Sequence, residues 1–418
     1  WDMNFSNKTK GKTPQLKDEL LQKLRASVEE RLISDVPLGI LLSGGIDSSL
    51  IVAIMSQILP KDRVKAFAIG FEEKSYDESK FARLAAESLG LPLTTEIFSE
   101  NDMAELVSEA IGDLDEPLAD PSVVPTFLLS RFARKYVTVV LSGDGGDELF
   151  GGYPKYFAHK VARLYDKLLG PMGPTIARKT VAFLARLPQS GTLFKMKRFF
   201  QGLAYPSDLR NQMWISPFFA QEIEALLAKE VANSDFDDLF LEILNHGKAF
   251  NGSDPIDRMM YLDSKLTFQD MYLAKVDRAS MACSLEVRAP FLDTDLIEFA
   301  SSLPAKFKTR RLGTKYLPRK LASSLLPKPI ATRKKAGFGI PLGSLLRNEL
   351  RELVHEKLST DKVAQDGFFK PEVVTGLLKN FEKGSIETIS KIWTLLVFQI
   401  WFENWGVPNR ANSVPMGS

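Results

Sequence analysis

Apolar positions along this chain follow two alternating rhythms. Leu16, Leu20, Leu24, Val28 and Leu32 recur every four residues, which puts them on one face of a helix. Thr13-Pro14 opens that helix with proline in the first turn, where its missing N–H costs no intrahelical bond, and Pro37 closes the region. Short apolar runs then alternate with helical patterns, and strands are predicted over Leu38–Leu42, Val64–Ile69, Leu93–Ile97 and Val137–Leu141. A helix over Ser48–Leu59 stops before Pro60, and a second carries a Ser75/Glu78 capping box and ends at Gly90. Two more helical stretches precede the fourth strand. This order predicts an α/β fold with right-handed crossovers, a parallel, doubly wound sheet and helices on both faces.

After this core, expected over 13–154, the strand rhythm stops. Residues 155–255 become helical and richer in Phe, Lys and Arg, and are predicted to be a helical insertion. Residues 256–345 carry a long helical segment and several loops. Residues 346–418 form a helical C-terminal region in which Trp393, Trp401 and Trp405 share one face, as core packing would require. Residues 1–12 are polar and lysine-rich and are expected to be a linker remnant. The run Lys195-Met196-Lys197-Arg198 is expected on an exposed helix face.

Composition narrows the function. With 44% hydrophobic and 25% charged residues, disorder is excluded as the main state. Lys+Arg 54 against Asp+Glu 52 gives a net charge of +2, which argues against bulk nucleic-acid binding. A single Cys excludes a disulfide framework and a CxxC zinc site. His159, His246 and His355 lie too far apart for a histidine metal cluster. No apolar run approaches the ~20 residues needed to span a bilayer; the longest, around Trp393 to Phe402, is broken by Gln399. The N-terminus does not resemble a signal peptide and lacks Met, so a fragment or processed product is expected. A cytoplasmic protein with no membrane and no nucleic-acid partner is the expectation.

Two loops carry the candidate chemistry. Ser43-Gly44-Gly45-Ile46-Asp47-Ser48-Ser49 follows the first strand and opens a helix. Its glycines admit close approach of an anion, and the helix start offers free N–H groups and a positive dipole end. It is not the GxxxxGK[ST] loop, because it contains no lysine. Leu141-Ser142-Gly143-Asp144-Gly145-Gly146-Asp147-Glu148-Leu149-Phe150-Gly151-Gly152-Tyr153 follows the fourth strand, at the carboxyl end where open α/β sheets bind ligands.

The first loop resembles the pyrophosphate-binding loop of the ATP pyrophosphatases (the PP-loop, adenine nucleotide α-hydrolase-like fold). The second resembles a signature of the asparagine synthetase branch. Asp115-Glu116-Pro117, Lys275-Val276-Asp277-Arg278 with Ser284–Asp293, and Arg333-Lys334-Lys335-Ala336-Gly337-Phe338-Gly339 agree in order and spacing. The resemblance covers residues 13 to about 405, and no motif of the family falls in 155–255.

The resemblance implies a C–N-forming, AMP-forming ligase that uses ATP and Mg²⁺. Aspartate is adenylated on its side-chain carboxylate, and ammonia then releases AMP and asparagine. Carried over residue by residue, Leu41, Ile69 and Gly70 would flank adenine and ribose, and Ser43, Gly44, Gly45, Asp47 and Ser48 would hold pyrophosphate. Ser142 and Gly143 would lie beside the α-phosphate, Asp47 and Asp147 would bind Mg²⁺, and Lys335 would supply the cation that the first loop lacks. Asp144, where the family often has Glu, would accept a proton from ammonia. Glu286 and Arg288 are candidates for the intermediate pocket, with a structural ion pair as the alternative. Family members usually begin with a glutaminase domain whose nucleophile is an N-terminal Cys. Trp1-Asp2 looks like the junction after it, so the expected partners are that domain or a separate glutaminase chain, small-molecule substrates, and a second copy as a homodimer.

Another carboxylate, such as a polysaccharide uronic acid or a peptide, is the alternative substrate. β-Lactam formation is set aside, because those relatives place Tyr at the Asp144 position. A tRNA-modifying enzyme would want catalytic cysteines or a basic face. A non-catalytic module would have no need of both acidic loops and Lys335.

Overall fold

The computed structural model describes residues 1–187, 190–229, 231, 240–310, 313–335 and 337–406. The end of the predicted C-terminal region, short stretches of the expected insertion and Ala336 of the basic motif lie outside the described residues.

A five-stranded, all-parallel sheet organises the chain, in the order β3-β2-β1-β4-β5: β1 Leu38–Leu41, β2 Lys65–Phe71, β3 Leu93–Phe98, β4 Val139–Leu141 and β5 Glu286–Arg288. Helix α1 (Thr13–Arg31) precedes the sheet, α2 (Ile46–Ile58) joins β1 to β2, and α3 (Ser79–Leu89) joins β2 to β3. Helices α4 (Glu100–Gly112) and α5 (Val123–Arg134) lead back to β4, and α6 (Gly146–Phe150) follows it. One apolar core gathers α1, α2, α3 and the helix Tyr316–Leu325 on one face of the sheet. A second gathers α4, α5 and the helix Ile389–Trp401 on the other. The four predicted strands are present, within two residues at each end.

Three features differ from the expectations. The fifth strand, β5, carried no strand signal: it has three residues, two of them charged, at the sheet edge. The Ser75/Glu78 box does not form, because the Ser75 hydroxyl donates to Glu73 at 2.8 Å and Glu78 pairs with Arg333. Gly90 does close α3, at φ 67°. Residues 1–12 pack on the core: Phe5 is buried against Phe250 and Tyr261, and Lys8 pairs with buried Asp257 at 2.7 Å.

Among the described residues, the stretch from Lys155 to Ala249 is a series of helices joined by short turns and loops, with one isolated bridge from Leu227 to Phe369. Trp393 is buried, whereas Trp405 is exposed; with Trp401, their indole N–H groups donate to the carbonyls of Ala119, Gly112 and Asp115. No described helix is long and apolar enough to cross a membrane.

Candidate active site

The sheet order fixes where a ligand can bind. From β1 the chain winds outward through β2 to β3, then returns to the opposite side of β1 as β4. The β1/β4 junction is therefore the topological switch point, and a crevice opens beyond the carboxyl ends of the two strands. The two Gly-rich loops follow these two strands.

The loops pack against each other at the closest range that backbone allows. A Cβ on Gly143 would meet the Ser48 nitrogen at 2.7 Å, and one on Gly146 would meet Asp47 Cγ at 2.5 Å. Gly45 caps α2 with no side-chain acceptor on the first-turn N–H groups, which leaves them free for an anion. Ser43 and Ser48 hydroxyls lie 3.1 Å apart beside this turn.

Four charges converge where the loops meet. Lys315 Nζ contacts Asp47 and lies 2.6 Å from Asp147, and Lys335 Nζ reaches Asp147 at 2.5 Å. Asp47, Asp147 and Lys315 are buried. Burial works against charge on Asp147, but Lys315 and Lys335 hold its pKa down at about 2. Burial also pushes Asp47 above its ordinary value, and Asp147 adds to the rise while Lys315 opposes it. Lys335 is likewise disfavoured by burial, yet Asp147 and Asp47 keep its ammonium pKa above the usual lysine value.

Beside this quartet, burial and the charge of Asp147 push Glu148 up to about 8, and its carboxyl accepts from the Tyr153 hydroxyl at 2.5 Å. Asp144 is half-exposed and accepts from the Ser142 hydroxyl at 2.7 Å.

These groups open onto a cavity of about 620 Å³. Leu41, Ser43, Gly45, Asp47, Ser48, Ile69, Ser142, Gly143, Asp144, Asp147 and Lys335 all line it, so most of the sequence-derived site converges there. Gly44 and Gly70 stay off the wall and serve packing: Gly44 has φ 68° with its Cα against the α3 backbone, and a Cβ on Gly70 would strike Ile97 at 2.5 Å.

Glu286 and Arg288 are not brought to the cavity. Two apart on one strand, they share a face and pair at 2.6 Å, while Arg288 also donates to the carbonyls of Arg31 and Ile33. The ion-pair alternative describes their geometry. Asp115 likewise faces Arg278 away from the cavity, at 3.0 Å.

Lys315 was not anticipated from sequence. A lone lysine 168 positions after Asp147 carries no motif, although its left-handed backbone, φ 52°, marks it in the fold. Asp120, Ser122 and Lys275 were also not singled out as a group. Lys275 donates to Asp120 at 3.0 Å and to Ser122 at 2.7 Å, and all three line the wall. Arg333 lies over the Phe81 ring at 3.9 Å and donates to the Ser43 carbonyl at 3.2 Å, which pins the basic segment to the first loop.

Comparison with known proteins agrees with this geometry. The profile of the asparagine synthase family matches residues 19–403. Asparagine synthetase (glutamine-hydrolyzing) 1 of Bacillus subtilis (strain 168) is 31% identical over 389 residues, 92% of this chain and 59% of that protein. A putative asparagine synthetase (glutamine-hydrolyzing) of Mycobacterium tuberculosis (strain ATCC 25618 / H37Rv) is also 31% identical, over 386 residues, 92% of this chain and 57% of that protein. A more distant relative, amidase chry2 of Gibberella zeae, is 23% identical over 347 residues, 74% of this chain and 50% of that protein. The chain thus spans less than three fifths of the length of these relatives.

Proposed function

This chain belongs to the asparagine synthase family, and from that premise we propose that it joins ammonia to a carboxylic acid, aspartate first, at the expense of ATP cleaved to AMP and pyrophosphate. The observation that carries the reading is the meeting of Asp47, Asp147, Lys315 and Lys335 between two Gly-rich loops at the switch point. Cations gathered there suit a leaving pyrophosphate, whose charge grows as the α–β bond breaks. The β-phosphate cradle is the open first turn of α2; adenine fits against Leu41 and Ile69 on the apolar side of the same cavity.

In the first step a carboxylate oxygen attacks the α-phosphorus, the bond to the bridging oxygen breaks, and the electron pair leaves with pyrophosphate. Lys315 and Lys335 hold the departing oxygens. In the second, the nitrogen of ammonia attacks the acyl carbon, a proton passes from that nitrogen to the Asp144 carboxylate, and AMP leaves with the electron pair of the acyl–oxygen bond. Asp47 Oδ1 is buried without a hydrogen-bond partner among the described residues. Facing Asp147 across Lys315, it offers the oxygen donor chemistry that suits Mg²⁺. When bound, that ion neutralises phosphate charge; Asp47 and Asp147 would hold it. The ammonia source, a glutaminase domain or separate chain, and a cytoplasmic location belong to the same proposal.

An acid-dependent exchange of labelled pyrophosphate into ATP tests it. Exchange that requires aspartate is expected; exchange driven instead by glutamate or a uronic acid reassigns the substrate, and ADP as the stoichiometric product overturns the chemistry.

A further inference from the structure

Charge in this chain is balanced only on average. Residues 155–198 hold ten Lys and Arg against the single acid Asp166, while the whole chain carries only +2. Asp166 is engaged by Arg210 at 2.5 Å. Among the described residues, exposed Arg163, Lys167, Arg178, Lys179, Arg186 and Lys195 have no ion-pair partner. The other four basic groups are engaged elsewhere: Lys155 with Asp263, Lys160 with the Thr309 carbonyl, Lys197 with Glu387, and Arg198 over the Phe219 ring.

The same segment exposes large apolar side chains in a pattern. Helix Lys155–Leu169 buries Tyr156, His159 and Ala162. Phe157, Val161, Leu164 and Leu168, at spacings of four, three and four, fall on the opposite face. Leu164 is 57% and Leu168 72% exposed, and the stripe continues through the turn Gly170–Met172, where Met172 is 65% exposed, to Phe183, 60% exposed, on the helix Gly173–Leu184. A helix built for this fold's core alone would carry polar residues on that face.

We propose that this segment docks peripherally on an anionic lipid surface, with the apolar stripe entering the headgroup boundary and the flanking cations that have no ion-pair partner among the described residues meeting lipid phosphates. Charge discriminates among a second copy, a nucleic acid and a bilayer as occupants of this stripe. A second copy brings an equal positive charge to the same segment and is repelled. A nucleic acid satisfies the cations but leaves Leu164, Leu168, Met172 and Phe183 in water. An anionic bilayer satisfies both. The expectation of no membrane contact rested on the absence of a spanning run, which does not bear on a surface-lying helix. The inference is independent of the substrate proposed above.

Co-flotation of the 418-residue protein with vesicles tests it, comparing mixed phosphatidylglycerol–phosphatidylcholine with phosphatidylcholine alone. Binding to the anionic vesicles at least about tenfold tighter is expected, and it should weaken as salt rises. Leu164→Glu/Leu168→Glu and Arg178→Glu/Lys179→Glu should each cost about tenfold or more, with melting temperature and pyrophosphate exchange unchanged. Equal binding to neutral vesicles, no binding to anionic ones at low salt, or variants that bind like the parent would overturn it. So would a lipid-free dimer that Leu164→Glu/Leu168→Glu dissociates, or tighter binding to a duplex oligonucleotide than to the vesicles.

Discussion

Replacing Lys315 by Met separates the structural from the chemical role of the charged quartet. Met keeps the length and apolar stem of Lys315 and removes its charge. Asp47 then loses its only ion-pair partner among the described residues, whereas Asp147 keeps Lys335. Breaking a buried pair by removing one member costs about 3–5 kcal/mol, because the remaining charge is left uncompensated. In a chain of this size that should lower the melting temperature by about 3–6 °C. The deficit should shrink as pH falls. The Asp47 pKa is already raised by burial, the variant raises it further, and a protonated Asp47 needs no cation. Adding Asp47→Asn to Lys315→Met should therefore restore much of the lost stability. Pyrophosphate exchange should stay down by ~10²-fold or more in both variants, since the cation facing the leaving group is still missing. The measurements are thermal melts across pH and exchange rates on the same preparations. A single variant that melts like the parent, or a double variant that recovers exchange along with stability, would refute the reasoning.

Lys335→Ala should slow adenylation by ~10²-fold or more, since Lys335 faces the same charge, while Lys334→Ala, exposed and without an ion-pair partner among the described residues, should be mild; exchange kinetics on both would reveal equal effects if the register is wrong. Asp144→Asn should retain pyrophosphate exchange but slow amide formation by roughly 10²–10⁴-fold, the usual cost of losing a general base; an equal fall in exchange would make Asp144 structural. With this chain alone, ammonium should support synthesis and glutamine should not: burial pushes the sole thiol, Cys283, up to about 11, and it packs 3.7 Å from the Phe127 carbonyl. Glutamate release matching synthesis would count against that.

The parallel core was legible because a strand buried on both faces is a continuous apolar run, and β1, β2 and β4 are such runs. Both loops were legible because glycine is required where they touch, as at Gly143 and Gly146. What was not legible depended on contacts distant in the chain. Ser75 and Glu78 have the spacing of a capping box, but Arg333, 255 positions beyond Glu78, takes the glutamate. Lys315 reaches Asp47 over 268 positions, with no local pattern to announce it. The ion-pair alternative for Glu286 and Arg288 has a simple physical reason: opposite charges two apart on a strand point the same way and pair with each other.

Glu148 completes the electrostatic argument. Asp47, Asp147, Lys315 and Lys335 sum to zero, so the two aspartates and Lys315 can stand buried before a nucleotide arrives. That balance holds only while Glu148 is neutral. Its folded pKa, raised to about 8 first by burial and then by Asp147, keeps it protonated at neutral pH. The stability it lends is full below the ordinary carboxylate range and is lost as pH rises through about 8. Once ionised, it adds a negative charge to the wall that receives pyrophosphate. Exchange consumes no ammonia, so its pH profile isolates this effect from the supply of neutral amine. It should fall above about pH 8 in the parent chain, whereas Glu148→Gln, which cannot ionise, should stay flat there and retain the neutral-pH rate within a few-fold. Gln also keeps an acceptor for the Tyr153 hydroxyl, so the cavity wall need not rearrange. An alkaline limb that survives in Glu148→Gln would place the titrating group elsewhere and remove Glu148 from the account of the site.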